Sequence, residues 1–159
     1  VEDMYETLTE REQELFQRAL NLGVAPSGLS SGDPDDYLIR NLIGADSQNG
    51  VLAVGSTLRT GQMVRFHVRD AQAASEELVQ LLTRYERAAS EPAGSLLFTC
   101  AGRGKDFFGH ANHDSSLVQD RLGGIPLGGL FCGGEIGPVH GETHLHGYTS
   151  VLGLFSSPG

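Results

Sequence analysis

The chain has 159 residues, 39% of them hydrophobic, enough for one domain of common size with a core to bury. Its formal net charge of -9, from 20 acidic against 11 basic residues, opposes a phosphate backbone and argues against nucleic acid as a partner. No stretch approaches the roughly 20 consecutive apolar residues of a membrane helix, and no basic head precedes an apolar signal core, so the expectation is a soluble cytoplasmic protein with no membrane partner.

Thr9 and Glu12 have the spacing of a capping box, and Leu15, Phe16, Ala19, Leu20 and Leu22 follow on one helical face until Gly23, predicting a helix over residues 10 to 22. Residues 37 to 45 and 51 to 55 are apolar runs flanking Asn49-Gly50, a pair suited to the positive φ angles of a tight hairpin. Val64, Phe66 and Val68 alternate with Arg65, His67 and Arg69, as a strand with one apolar face requires. Asp70 is placed to cap a long helix on which Ala71, Ala74, Leu78, Leu81, Leu82, Tyr85 and Ala89 recur at helical steps until Pro92. An apolar strand at Ser95–Cys100 comes next, then a short helix capped by Asp114 and ending near Gly123. A strand around Pro126–Phe131 and a last strand from Leu145 to Phe155 complete the order. Strands outnumber helices, and the order predicts an α+β fold with a mixed, largely antiparallel sheet packed with helices. Ser27–Asp36 is the one linker-like stretch. The 22 glycines lie singly or in pairs between apolar runs, as turns require. Two cysteines without close pairing or CxxC spacing suit reduced thiols rather than a disulfide framework. A start at Val1 instead of methionine suggests a piece of a longer protein.

Five segments succeed one another along the chain: Arg40-Asn-Leu-Ile-Gly44, Gly61-Gln-Met-Val-Arg-Phe-His-Val-Arg-Asp70, Leu96-Leu-Phe-Thr-Cys-Ala-Gly-Arg-Gly104, Pro126-Leu-Gly-Gly129 and Gly134-Glu-Ile-Gly137. In this order they resemble the C-terminal FIST domain over about residues 20 to 156. The resemblance implies a division into residues 1–22, a helix or linker from a preceding region, and residues 23–156, the FIST domain itself. It also implies an N-terminal FIST domain as partner, absent from this chain. Family members occur in bacterial signalling proteins and some eukaryotic F-box proteins, and are proposed to sense small ligands such as amino acids. The implied function is therefore a sensory, ligand-binding domain of intracellular signal transduction, not an enzyme and without a cofactor.

The residues themselves offer several sites. Cys100-Ala-Gly102-Arg103-Gly104 leaves an apolar strand, so its glycines can turn bare N–H groups toward a ligand while Arg103 presents a planar fork to a carboxylate. The plainer reading is a tight turn with Cys100 as a small buried hydrophobe. The loop lacks the third glycine and acidic residue of a dinucleotide site and the Lys-Ser/Thr of a P-loop. Gly134 and Glu135 form a glycine-fenced carboxylate that can take an ammonium opposite Arg103, or simply cap a turn. His113, in the polar cluster His110, Asn112, His113 and Asp114, either lines the pocket or sits in a solvated turn. His67 and Arg69 either reach the same mouth or face solvent. His140, Glu142, His144 and His146 offer metal-ligand types, and a solvated strand face explains them as well. Cys100 with His110 or His113 supplies the residue types of a thiol nucleophile without a recognised signature. The acidic opening, Glu2, Asp3, Glu6, Glu10, Glu12 and Glu14, suits either a signalling-protein partner in an interaction module or a solvated helix face.

Overall fold

The computed structural model describes residues 2–26, 37–46, 48–88 and 92–156, and the linker-like stretch Ser27–Asp36 lies outside them. So do the side chains of Glu2 and Asp3. The chain divides into two compact units, Val1–Asp70 and Ala71–Gly159.

The first unit opens with α1 (Glu2–Glu6) and α2 (Glu10–Ala19). The capping box is formed: the Glu12 backbone N–H donates to the Thr9 hydroxyl, and the Thr9 backbone N–H donates to the Glu12 carboxylate. The helix stops three residues earlier than the sequence pattern predicts. Leu20, with an extended backbone, begins β1 (Leu20–Val24), which is hydrogen-bonded on both sides. It pairs antiparallel with β2 (Leu38–Asp46) and with β4 (Val64–Val68), while β3 (Val51–Val54) pairs with β2, giving the order β3-β2-β1-β4. Two ladders outweigh one more turn of helix, so the 3.6-residue pattern through Leu22 is overridden by pairing. Gly23 is consequently a central-strand residue and not a helix stop. A Cβ there would lie 2.5 Å from His67 Nε2 and 2.9 Å from Tyr37 Cβ. The β2–β3 connection is the expected hairpin, but among the described residues only Gly50 takes positive φ, and the turn is tied by the Asp46 carboxylate, which accepts from the Gln48 and Asn49 N–H groups. Leu22, Val24, Ala25, Tyr37 and Leu38 are buried. Phe16 of α2 meets Tyr5 and Phe66 ring to ring.

In the second unit, α3 (Ala71–Ala88) precedes β5 (Gly94–Cys100), a 3-10 turn (Ala101–Arg103), α4 (Lys105–Phe108) and α5 (His113–Arg121). Then come β6 (Leu127–Cys132), β7 (Glu135–Val139), β8 (Glu142–His146) and β9 (Ser150–Phe155). The single strand expected over Leu145–Phe155 is two strands, broken at Gly147–Tyr148, where Tyr148 takes positive φ. β5 lies between β6, to which it is parallel, and β9, to which it is antiparallel, while β7 and β8 form a separate antiparallel hairpin. The fold is thus α+β with mostly antiparallel sheets, as the order of elements predicts. The parallel β5–β6 pair needs a crossover, and α5 supplies it. Helices α3 and α5 cover one face of this sheet, closing a core of Leu78, Leu82, Leu97, Val118 and Leu122. Alternation along β5 sends Phe98 and Cys100 the other way, where Cys100 meets Glu135 and Val151 meets Gly137 of the hairpin.

Two glycines in β6 make opposite demands. At Gly129 a Cβ would sit 1.9 Å from the Leu97 carbonyl oxygen, a backbone atom with nowhere to go; at Gly128 it would meet only Leu96 Cδ2 at 3.3 Å, a side chain able to rotate. Gly129→Ala is therefore expected to cost about 3 kcal/mol or more in urea unfolding and Gly128→Ala less than about 1 kcal/mol; equal losses would contradict the close approach.

The first unit carries a pH response. Burial, assisted by the charge of Arg65, pushes the His67 imidazole below its ordinary value, and its Nε2 is buried without a partner among the described residues. The unfolded chain thus binds the proton more readily than the folded one. The contribution of neutral His67 to stability is complete above about pH 6.5 and is lost as the pH falls through the folded value. An NMR titration of the ring should give a midpoint below about 6.5, and a midpoint above it would refute the assignment.

Candidate functional site

A cleft of about 350 Å³ runs along β6 from Leu127 to Phe131, between that strand and the loop and helix that follow β5. One wall is apolar: Leu97, Leu127, Leu130 and Phe131 with Gly128 and Gly129. The opposite wall is polar, formed by Arg103 and Gly104 of the loop after β5 and by Asn112, His113, Asp114, Ser115 and Gln119 around the start of α5, with Thr99 at the base.

Arg103 and Asp114 anchor the polar wall. Arg103 Nε donates to Asp114 Oδ2 at 2.8 Å and Nη2 to Oδ1 at 2.9 Å, with side chains only 6% and 4% exposed. The fork thus lies flat against the carboxylate, the geometry in which Arg is strongest. Asp114 is not the cap of α5, as the sequence pattern suggests; Asn112, in the left-handed region, precedes the helix, and Asp114 points inward from its first turn. It also accepts from Ser150 Oγ at 2.6 Å and Thr99 Oγ1 at 3.4 Å, so β5, β9, the loop and α5 meet on one carboxylate. Burial works to raise the Asp114 carboxyl, but the bonds from Arg103 and Ser150, the Arg103 charge and the bond from His113 outweigh it and hold the group below the usual carboxylate range.

His113 is fixed from three sides. Its Nδ1 is 2.8 Å from Asp114 Oδ1, its Nε2 is 3.0 Å from Ser75 Oγ on α3, and its ring stacks on Phe108 with centroids 3.6 Å apart. The guanidinium of Arg103 lies 5.2 Å from the centre of the same Phe108 ring. The order Ser75, His113, Asp114 is that of a proton relay. Here, however, Ser75 stands away from the lining of the cleft, and the carboxylate is shared with Arg103.

Of the residues singled out in the sequence, Arg103, Gly104 and His113 line the cleft, whereas Cys100, Gly102, Gly134 and Glu135 are outside its lining. Arg103 and Glu135 therefore do not face one another across it. Glu135 is 1% exposed on the inner face of the β7–β8 hairpin. Its carboxyl accepts from the Thr149 N–H and from the Cys100 thiol, while Oε1 has no partner among the described residues. Burial pushes the carboxyl up, against those bonds and the charges of His146 and Arg103. His144 and His146 share that inner face: His146 Nε2 lies 3.0 Å from the Gly137 carbonyl oxygen, and His144 is 3.8 Å from the Glu142 carboxylate. No group of three or more His, Cys, Asp or Glu side chains among the described residues is placed to hold a metal ion. His67 belongs to the first unit, packed on Tyr37. Thr99, Ser150 and Gln119 belong to no motif that marks them as site residues in the sequence. Alternation places Thr99 on the helix-facing side of β5, but nothing in the sequence signals that Ser150 meets Asp114.

The family described as the FIST C domain matches residues 2–138 of this chain. An uncharacterized protein of Mycobacterium tuberculosis is 48% identical over 149 residues, covering 91% of this chain and 38% of the relative. One of Mycobacterium bovis is 40% identical over 155 residues, covering 96% and 40%. An F-box/LRR-repeat protein of Arabidopsis thaliana is 32% identical over 130 residues, covering 71% and 24%. The chain thus spans about two fifths of the length of the mycobacterial relatives. No solved structure matches. No helix among the described residues is long and apolar enough to cross a membrane.

Removing the guanidinium would leave Asp114 charged, buried and without its main partner. Arg103→Met is expected to lower the unfolding free energy by about 3–5 kcal/mol, with Arg103→Lys intermediate because it keeps the charge and loses the fork. Urea denaturation measures both, and a loss under about 1 kcal/mol for Arg103→Met would show that the pair is not an anchor.

Proposed function

The chain belongs to the FIST C domain family, and on that footing we propose that it is a sensory domain of intracellular signal transduction that binds an amino acid or small carboxylate in the cleft along β6. The observation that carries the reading is the two-sided lining. A ligand with an apolar body has Leu127, Leu130 and Phe131 to lie on, and its polar head meets the first turn of α5, which the Asn112 side chain does not cap. Arg103 lines the wall without a free fork, because its Nε and Nη2 are held by Asp114. The Arg103–Asp114 pair is internally compensated, which suits a zwitterion or a small monoanion better than a polyphosphate. The full response belongs, in this proposal, to the longer protein, in which an N-terminal FIST domain partners this one and a signalling protein receives the output.

Screening by thermal shift against the common amino acids and small mono- and dicarboxylates tests the reading. A true ligand at a hundredfold excess over its Kd stabilises the fold by about 2.7 kcal/mol. The stabilisation should vanish in Gln119→Trp, which fills the cleft from an exposed position on α5 and leaves the circular dichroism spectrum unchanged. If no compound raises the melting temperature, either of this chain or of one extended by the preceding region of the protein, the ligand-binding reading fails.

A further inference from the structure

The two cysteines are far apart in sequence but adjacent in space. In the parallel β5–β6 ladder Cys100 is the register partner of Cys132, so their side chains leave the sheet on the same face, the one turned away from the helices. Neighbouring strands lie about 4.7–4.9 Å apart, inside the Cα separation of about 4.4–6.8 Å that a disulfide tolerates. Both thiols are free; Cys100 is buried and Cys132 partly exposed. Gly133 and Gly134 follow Cys132 directly, and a Cβ on Gly133 would meet nothing within 4 Å, so the chain after Cys132 has room to adjust. On the other side, the Cys100 thiol donates to the buried Glu135 carboxyl, and the residues after Cys100 form the turn that delivers Arg103 to the cleft.

We propose that Cys100 and Cys132 form a vicinal dithiol that is a modification site of this chain, closed to an intramolecular disulfide by a hydroperoxide and bridged by a trivalent arsenical. The steps balance with hydrogen peroxide as oxidant. Cys132, the more accessible thiol, loses its proton to water, and its thiolate attacks one peroxide oxygen; the O–O bond breaks, and sulfenic acid and water result. Cys100 then attacks the Cys132 sulfur and displaces the sulfenic oxygen as a second water, leaving the S–S bond. Two thiol hydrogens and two electrons have passed to the peroxide. The product ties together the carboxyl-terminal ends of the two strands that frame the cleft and removes the thiol donor from Glu135. The proposal is independent of whether the cleft takes a small carboxylate.

The test treats the native chain with one equivalent of hydrogen peroxide, blocks the remaining thiols with iodoacetamide and maps peptides by mass spectrometry without reduction. The expected product is a monomeric chain whose Cys100 and Cys132 peptides are joined with the loss of two hydrogens, restored to free thiols by dithiothreitol. One equivalent of phenylarsine oxide should protect both cysteines from alkylation, and in Cys100→Ser the oxidised Cys132 should stop at a sulfenic acid trapped by dimedone. Sulfinic acid on Cys132 or a disulfide between two chains, with Cys100 still open to alkylation, would overturn the proposal. So would phenylarsine oxide that leaves both thiols reactive. Should Cys100→Ser not fold, the peptide map and the arsenical protection on the unaltered chain decide alone.

Discussion

Taking a guanidinium and a carboxylate out of water costs several kcal/mol each, and the Arg103–Asp114 pair offsets that cost by geometry: two near-parallel hydrogen bonds, with Ser150, Thr99 and His113 engaging the same carboxylate. The consequence is positional. Four elements that the chain visits at different times, β5, the loop after it, α5 and β9, are fixed to one buried charge. A buried pair of this kind contributes little net stability compared with an apolar substitute, but it penalises every arrangement in which one partner is displaced. The polar wall of the cleft is therefore rigid for the same reason that it is charged.

That rigidity depends in turn on the one parallel ladder in the described chain. β5 and β6 run side by side with Gly129 against Leu97, close enough that no side chain fits between them. With β6 set beside β5 in this way, Arg103, the start of α5 and the apolar side chains of β6 line one cleft. The same register sets Cys100 beside Cys132 on the opposite face. A single topological feature thus produces both the cleft and the thiol pair.

Much of the fold was legible in the sequence, and the exceptions have physical causes. The capping box at Thr9 and Glu12, the alternation of Val64, Phe66 and Val68, and the helical steps of α3 are local signals, and local structure follows them. Leu20 and Leu22 continue a helical pattern, yet they are strand residues because β1 pairs on both edges, a long-range fact no local period contains. The separation of β8 from β9 rests on the positive φ of Tyr148, a residue type with no such preference. At the site, the loop from Cys100 to Gly104 was identifiable from a strand ending in glycines. What it faces was not. Asp114 has the position of a helix cap in sequence, and only the fold turns it inward to Arg103. Glu135 was visible as a carboxylate among glycines, but its burial beside Cys100 depends on a hairpin whose packing leaves no mark in the sequence.

The polar wall depends on the pairing of Asp114 outweighing its burial, and the ionisation of that one carboxyl reports the balance. A carbon-13 NMR titration of the Asp114 carboxyl in the intact chain measures it directly. A midpoint below the ordinary aspartate value of about 3.9 is predicted, with the stability that the pair contributes present above that value and lost as the pH falls through the folded midpoint. A midpoint at or above about 3.9 would mean that desolvation prevails, and the anchor of the polar wall would then be wrongly assigned.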